Sequence, residues 1–171
     1  MEYTAIDILD AREERVELQE KLMDAFQNTL LCVRVNVPGV RKKTELSQGI
    51  FHVISKEIDE LFGGRILKSH FNVGAEGPIE LLVIDEKSDK VKIKTIQLEE
   101  NHPLGRFVDI DVYDNKTRES LSRTSMEFAP RKCYICDKPA CECVRNQSHS
   151  KEEIIGHIEK AYESYRSKTD E

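Results

Sequence analysis

Leu30-Leu31-Cys32-Val33-Arg34-Val35-Asn36-Val37 sets the fold class. The run is apolar and β-branched, so it reads as a strand. Pro38-Gly39 ends it. Upstream, from Ile6 to about Asn28, Leu9, Val16, Leu18, Leu22, Ala25 and Phe26 recur at helical spacing. Thr4 with Asp7 three residues on resembles a capping box, with aspartate in place of the usual Glu or Gln. Downstream, Thr44–Phe62 reads as a helix with Leu46, Ile50, Phe51, Ile54, Ile58 and Leu61 on one face, stopped by Gly63-Gly64. Strands are expected at Arg65–Val73, Ile79–Asp85, Lys90–Leu98 and Phe107–Tyr113. In Lys90–Leu98, Val91, Ile93 and Thr95 alternate with Lys90, Lys92 and Lys94. That alternation predicts a hairpin with Ile79–Asp85 and a lysine-bearing outer face. A short return strand near Ser120–Arg123 is expected to pair with Phe107–Tyr113, and Lys151–Tyr165 reads as a C-terminal helix. Two helices precede most of the strands. The expected class is α+β: one domain, a mostly antiparallel mixed sheet, and N-terminal, central and C-terminal helices packed on it.

The chain has 171 residues, a length suited to about one domain with a real core. Its net charge is −6, which argues against a dedicated nucleic-acid binder and against binding to anionic membranes. The acidity is terminal. Residues 1–29 carry 3 basic and 8 acidic side chains, and 151–171 carry 4 and 6. Residues 30–150 carry 19 and 18, and 115–150 alone carry 7 and 4. No apolar run approaches the ~20 residues of a membrane span. The N-terminus lacks the basic and apolar regions of a signal peptide, so a soluble, cytoplasmic protein is expected.

The sharpest chemical pattern is Glu99-Glu100-Asn101-His102-Pro103-Leu104-Gly105-Arg106-Phe107-Val108-Asp109-Ile110-Asp111. Asp109 and Asp111 stand two apart on an expected strand and therefore leave one face. Two carboxylates on one face call for neutralisation, and Mg²⁺ with substrate phosphate oxygens supplies it. Glu99, expected at the end of the preceding strand, is a candidate third oxygen ligand. Such a pair suits metal-dependent nucleotidyl transfer. Gly105 permits close backbone approach and Arg106 offers a fork for phosphate. A second pattern, Asn36 to Thr44, sets a turn and the cations Arg41, Lys42 and Lys43 before a helix N-terminus, an arrangement that attracts anions. It lacks P-loop spacing. Gly74 and Gly77 bracket a turn that either admits a ligand or is only a turn. Arg12, Arg15 and Gln19 form a polar stripe on the first helix, and Glu13 and Glu14 can pair with it.

Four of the five cysteines, Cys133, Cys136, Cys141 and Cys143, lie within eleven residues, with His149 close behind. A Cys-x₂-Cys pair with a third Cys and a His can close a structural zinc site. Packed free thiols and redox chemistry are the alternatives.

His102-Pro103-Leu104-Gly105-Arg106-Phe107-Val108-Asp109-Ile110-Asp111-Val112, then Ser122-Arg123, then Arg131-Lys132-Cys133-Tyr134-Ile135-Cys136 with Cys143-Val144-Arg145 and His149, resemble the holo-citrate lyase synthase family. This is also called the apo-citrate lyase phosphoribosyl-dephospho-CoA transferase family. The resemblance extends to Arg12-Glu13-Glu14-Arg15, Pro38-Gly39 with Lys42, and Gly74-Ala75-Glu76-Gly77, and it leaves only a variable tail after about residue 160 uncovered. It implies a nucleotidyltransferase-type domain over 1–171 with a Cys-rich segment at 131–149. The implied reaction moves a 2′-(5″-phosphoribosyl)-3′-dephospho-CoA group from triphosphoribosyl-dephospho-CoA to a serine of the citrate lyase acyl carrier (gamma) subunit, releasing pyrophosphate. Beyond what the resemblance implies, Asp109 and Asp111, with Glu99, are expected to bind Mg²⁺. Lys42, Arg106 and Arg123 are expected to hold the triphosphate, beside Gly74, Gly77 and Gly105. Arg12, Arg15, Arg131 and Lys132 are expected to contact the nucleotide part or the carrier. His102 is a candidate base for the serine, or shapes the loop before Gly105. Cys141 has no counterpart in the family pattern, which favours Cys133, Cys136, Cys143 and His149 as the zinc set. The alternatives are a prosthetic-group transferase for another acyl carrier, such as that of malonate decarboxylase, an adenylyltransferase acting on another hydroxyl, and a non-catalytic carrier-binding module.

Overall fold

The computed structural model describes residues 3–169. Its helices are α1 (Ala5–Phe26), α2 (Glu45–Phe62), α3 (Ser88–Asn101), α4 (Ala140–Arg145) and α5 (Lys151–Thr169). Its strands are β1 (Thr29–Val35), β2 (Ile66–Gly74), β3 (Gly77–Ile84) and β4 (Val108–Tyr113). They form one sheet in the order β2-β3-β1-β4, and every neighbouring pair is antiparallel. The expected α+β class holds.

The two sheet faces are covered differently. Leu31, Val33, Val35, Leu82, Ile84, Val108, Ile110 and Val112 point to a core shared with Ile50, Ile54 and Ile58 of α2 and with Ile158 of α5. Ile50, Ile54 and Ile58 are fully buried at i, i+4 and i+8. Full burial of such a side chain contributes about 1.5–3 kcal/mol. On the other face, Leu30, Cys32, Ile79, Leu81 and Val83 pack against Leu18, Leu22, Met23 and Phe26 in the C-terminal half of α1. Leu9 and Val16 of that helix stay exposed. This face therefore has an apolar half under α1 and an open half over β1 and β4, where the charged residues lie.

α1 starts with the expected box: Thr4 N–H donates to Asp7 Oδ2 at 2.6 Å, and Asp7 N–H donates to Thr4 Oγ1 at 3.2 Å. α2 starts with a serine version in which Ser47 N–H donates to Thr44 Oγ1 at 3.1 Å.

Lys90–Leu98 is helical, not a strand. Its buried positions are Val91, Lys92, Thr95, Ile96, Leu98 and Glu99, a face with 3.6-residue period. The lysine alternation over five residues mimics period 2, but Ile93 is exposed and Lys92 buried. Lys, Gln, Leu and Glu favour a helix there, and Asp89 sits in its first turn. β3 pairs instead with β2, through Ala75-Glu76 between paired Gly74 and Gly77. The expected return strand reduces to one bridge, Tyr113 with Ser120, plus the Leu121 N–H donated to Val112 O at 2.8 Å. Glu99 accordingly lies in the last turn of a helix rather than at a strand end.

Candidate functional site

The open half of the sheet gathers charge because β1 and β4 alternate. Antiparallel register sets Arg34 opposite Asp109 and Cys32 opposite Asp111. Arg34 reaches diagonally and donates to Asp111 Oδ2 at 2.7 Å. Arg131, arriving from the Cys-rich segment, donates to Asp109 Oδ1 at 3.0 Å. Each aspartate meets its arginine through one oxygen, and 35% and 32% of the two side chains remain exposed.

Behind this pair stands Glu99, whose side chain is 2% exposed. Its Oε2 accepts from Arg123 at 3.0 Å, its Oε1 is paired with Arg131, and Oε1 also accepts the Ile110 N–H at 3.2 Å. Arg123 is further paired with Glu100. Lys92, buried beside it, donates to Ile110 O at 3.3 Å, and burial pulls its ammonium below its ordinary pKa, with Glu99 opposing. A groove of about 260 Å³ opens here, lined by Asp109, Asp111, Glu99, Arg123, Arg131 and Ser122.

The phosphate-side candidates converge from three elements. Glu76, 7% exposed at the β2–β3 turn, is paired with Arg15 at 2.9 Å and Arg12 at 3.4 Å. Burial and the Arg12 guanidinium pull Lys42 below its ordinary pKa, with Asp109 and Glu76 opposing. Those charges come from α1, the hairpin turn and β4. The Lys42 ammonium donates to Val37 O, and its own carbonyl accepts from Ser47 Oγ at 2.7 Å. Gly77 has φ +85°, and a Cβ there would stand 2.7 Å from Lys42 O, so this glycine lets the Lys42 loop seat on the hairpin.

Other expected residues make different contacts. A Cβ on Gly105 would meet Leu98 O at 2.5 Å and Glu99 Cα at 2.8 Å, so Gly105 admits the end of α3 rather than a ligand. Gly74 has only the Asn72 side chain near it, at 3.7 Å. Arg106 donates to Lys132 O, its buried Nε has no partner among the described residues, and burial lowers its pKa. Lys132 itself is exposed. His102 Nδ1 accepts the Leu104 N–H at 3.0 Å, and its ring lies 5.3 Å from Tyr165. That contact ties the ring to the loop before Gly105. Burial holds its pKa below the ordinary value. Arg34, Glu76 and Lys92 were not expected as site residues. The signal was a lone charge within an apolar strand for Arg34 and beside one for Glu76, whereas Lys92 stands among alternating lysines and gives none. Cys32 is buried, and its thiol is pushed up to about 11 by burial, so it stays neutral.

The second constellation is the expected one. Cys133, Cys136, Cys143 and His149 bring their ligand atoms within 4.8 Å of one another, a Cys/His cluster able to bind metal. Cys136 Sγ lies 3.4 Å from Cys143 Sγ and 3.3 Å from His149 Nε2. Cys141 is exposed and outside the set.

Residues 3–165 match the family described as apo-citrate lyase phosphoribosyl-dephospho-CoA transferase. The chain is 34% identical over 166 residues to a probable apo-citrate lyase phosphoribosyl-dephospho-CoA transferase of Streptococcus pyogenes serotype M3, covering 95% of this chain and 86% of that one. It is 31% identical over 156 residues to the apo-citrate lyase phosphoribosyl-dephospho-CoA transferase of Escherichia coli O7:K1, covering 90% and 85%. It is also 33% identical over 163 residues to Protein CitXG of Leuconostoc mesenteroides subsp. cremoris, covering 94% of this chain and 35% of that longer one. The chain spans about a third of the CitXG relatives it matches. No helix among the described residues is long and apolar enough to cross a membrane. Matched from residue 3 to residue 165, and by full-length relatives of similar size, the chain belongs to the apo-citrate lyase phosphoribosyl-dephospho-CoA transferase family.

Proposed function

We propose that this chain transfers the 2′-(5″-phosphoribosyl)-3′-dephospho-CoA group from its triphosphate precursor to a serine of the citrate lyase acyl carrier subunit, as a nucleotidyltransferase. One observation carries the reading: a partly exposed carboxylate pair, Asp109 and Asp111, with Arg34, Arg123 and Arg131 around it on the uncovered part of the sheet. The serine oxygen attacks the phosphorus nearest the ribose. The bond to the next phosphate oxygen breaks, pyrophosphate leaves, and the serine proton goes to solvent at the open face.

The pair fits Mg²⁺, since two hard carboxylates two residues apart on one strand face match its preference for a few oxygens plus phosphate. When bound, Mg²⁺ polarises the phosphoryl oxygens and stabilises the leaving pyrophosphate. The chain's own residues do the rest. Arg34 and Arg131 orient Asp111 and Asp109 and neutralise them before substrate arrives. Glu99, with its oxygens engaged by Arg123, Arg131 and Ile110 N–H, acts as the anchor of those guanidiniums rather than as a metal ligand. Lys42, with Arg12 and Arg15 held by Glu76, binds the polyphosphate or the nucleotide beyond it. His102 keeps the loop before Gly105 in shape. The Cys/His cluster holds zinc as a closed structural site. We read the protein as a cytoplasmic enzyme, where its thiols stay reduced.

The test uses precursor labelled in its phosphoribosyl group, Mg²⁺, and apo-carriers from citrate lyase and malonate decarboxylase in separate reactions. Label on the citrate lyase carrier, with one pyrophosphate released per carrier, is expected. Carrier binding without pyrophosphate release, or transfer only to the other carrier, overturns the reading.

A further inference from the structure

The segment between Phe128 and Ser150 has no core of its own. Among its described residues only Cys143 is buried. Its regular structure is one bridge, Lys132 with Pro139, and the six-residue α4. A surface piece of this kind needs a staple to hold one conformation. Yet it delivers Arg131, two residues before Cys133, to Asp109 at 3.0 Å and to Glu99.

The four ligand atoms supply that staple. A tetrahedral ion with Zn–S near 2.3 Å and Zn–N near 2.0 Å has edges of about 3.5–3.8 Å between ligands. The spacings of 3.3 and 3.4 Å, within a cluster no wider than 4.8 Å, bracket that figure. Backbone geometry adds an independent sign. Ile135 N–H, two residues past Cys133, donates to Cys133 Sγ at 3.5 Å and so fixes the orientation of that sulfur. His149 turns its other nitrogen to Glu153 at 3.5 Å, the outer partner that orients a ligating imidazole.

We infer that a divalent zinc ion on Cys133, Cys136, Cys143 and His149 is the clasp that sets Arg131 in the carboxylate site, so that metal loading governs phosphate binding from outside the site. On binding, the three thiols release their protons to solvent, four protein–metal bonds form, and no electron is transferred. The clasp ties two backbone contacts to the site. Ala140 N–H donates to Arg131 O at 2.9 Å within the knuckle, and Arg106 donates to Lys132 O. Tyr134, next to Cys133, stacks on His157 at 5.4 Å and meets Phe107 edge-on at 5.3 Å, which fixes the knuckle against the residue that leads into β4. The zinc identity rests on the reading given under Proposed function. The linkage to Arg131 goes beyond it.

The full chain, purified without chelator from zinc-supplemented cells, is expected to hold about one zinc per chain. Cys141→Ser keeps it and Cys143→Ser loses it. Removing the zinc, then returning the protein to Mg²⁺ buffer, is expected to speed amide exchange across 131–149 at least about tenfold while the β1–β3 amides stay protected. Inorganic tripolyphosphate is the binding probe. Zinc removal and Arg131→Ala are each expected to weaken it about tenfold, and removal in the Arg131→Ala protein adds no further loss. Absent zinc, unchanged exchange, or additive losses overturn the inference. None of these readouts needs the transfer reaction, so a failure of the proposed activity would show separately.

Discussion

Glu99→Gln separates two roles for the most deeply buried carboxylate of the site. Glu99 is 2% exposed and holds two guanidiniums that are themselves 13% and 22% exposed. Removing one partner from a buried charged cluster costs about 3–5 kcal/mol when the remaining charges are stranded. Here Arg123 keeps Glu100 and Arg131 keeps Asp109. The expected loss is therefore about half of that, ~2 kcal/mol. For a chain of this size each kcal/mol moves Tm by about 2–4 °C, so the variant should melt about 4–8 °C lower. The assay is a circular-dichroism melt at pH 7.5, paired with a Mg²⁺ titration of the transfer rate. Half-saturation by Mg²⁺ should move by less than about tenfold, the low end of what losing a metal's outer-shell partner costs, because Glu99 reaches Asp109 only through Arg131. An unchanged Tm together with a Mg²⁺ requirement raised more than about tenfold would refute the ion-pair assignment and make Glu99 a metal ligand.

Gly77→Ala should cost about 1–3 kcal/mol, because a side chain at φ +85° is strained and its Cβ meets Lys42 O at 2.7 Å. By displacing the Lys42 loop it should also raise KM for the precursor more than it lowers kcat; a normal KM would mean that Lys42 does not touch substrate. His102 makes a pH prediction with a definite sign. Its folded pKa lies below its ordinary value, so the unfolded imidazole takes its proton first as pH falls. Its contribution is full above about pH 6.5 and is lost as pH drops through the lowered folded pKa. His102→Asn, which can still accept the Leu104 N–H, should flatten the change in urea midpoint between pH 7.5 and 5.5 and lower kcat by less than about tenfold. An unaltered pH slope would show that His102 does not carry this linkage, and a kcat loss of about a hundredfold or more would place it at the reacting centre.

The fold was legible wherever burial wrote its own period. Ile50, Ile54 and Ile58 announce α2, and Leu30–Val37 announces β1 without ambiguity. α3 was not legible, because its lysines alternate with Val91, Ile93 and Thr95 over a window too short to separate period 2 from 3.6. Only the burial of Lys92 decides it, and a lysine is buried here because β4 offers the Ile110 carbonyl. The site divides in the same way. Asp109 and Asp111 share a face by strand geometry, and Cys133, Cys136, Cys143 and His149 converge as the family resemblance favoured, where spacing alone left Cys141 open. Arg34 became a partner of Asp111 only through the β1–β4 register, and Glu76 a partner of Arg15 across 61 residues of chain. Pairings of that kind depend on which strands are neighbours, and spacing along the chain carries no record of it. Gly105 illustrates the converse. Its need for close approach was correctly read, but the approaching group is the α3 backbone.

The most direct test of the central claim is transfer of the labelled prosthetic group to apo-carrier by Asp109→Asn/Asp111→Asn, with folding checked by its melt. The aspartates are partly exposed, so the double variant should fold. The account predicts loss of at least about a thousandfold in transfer, the scale of a metal-assisted electrostatic contribution, with pyrophosphate release falling in step. Transfer within about tenfold of the unaltered protein would contradict it, and would move the reaction away from the β1–β4 face.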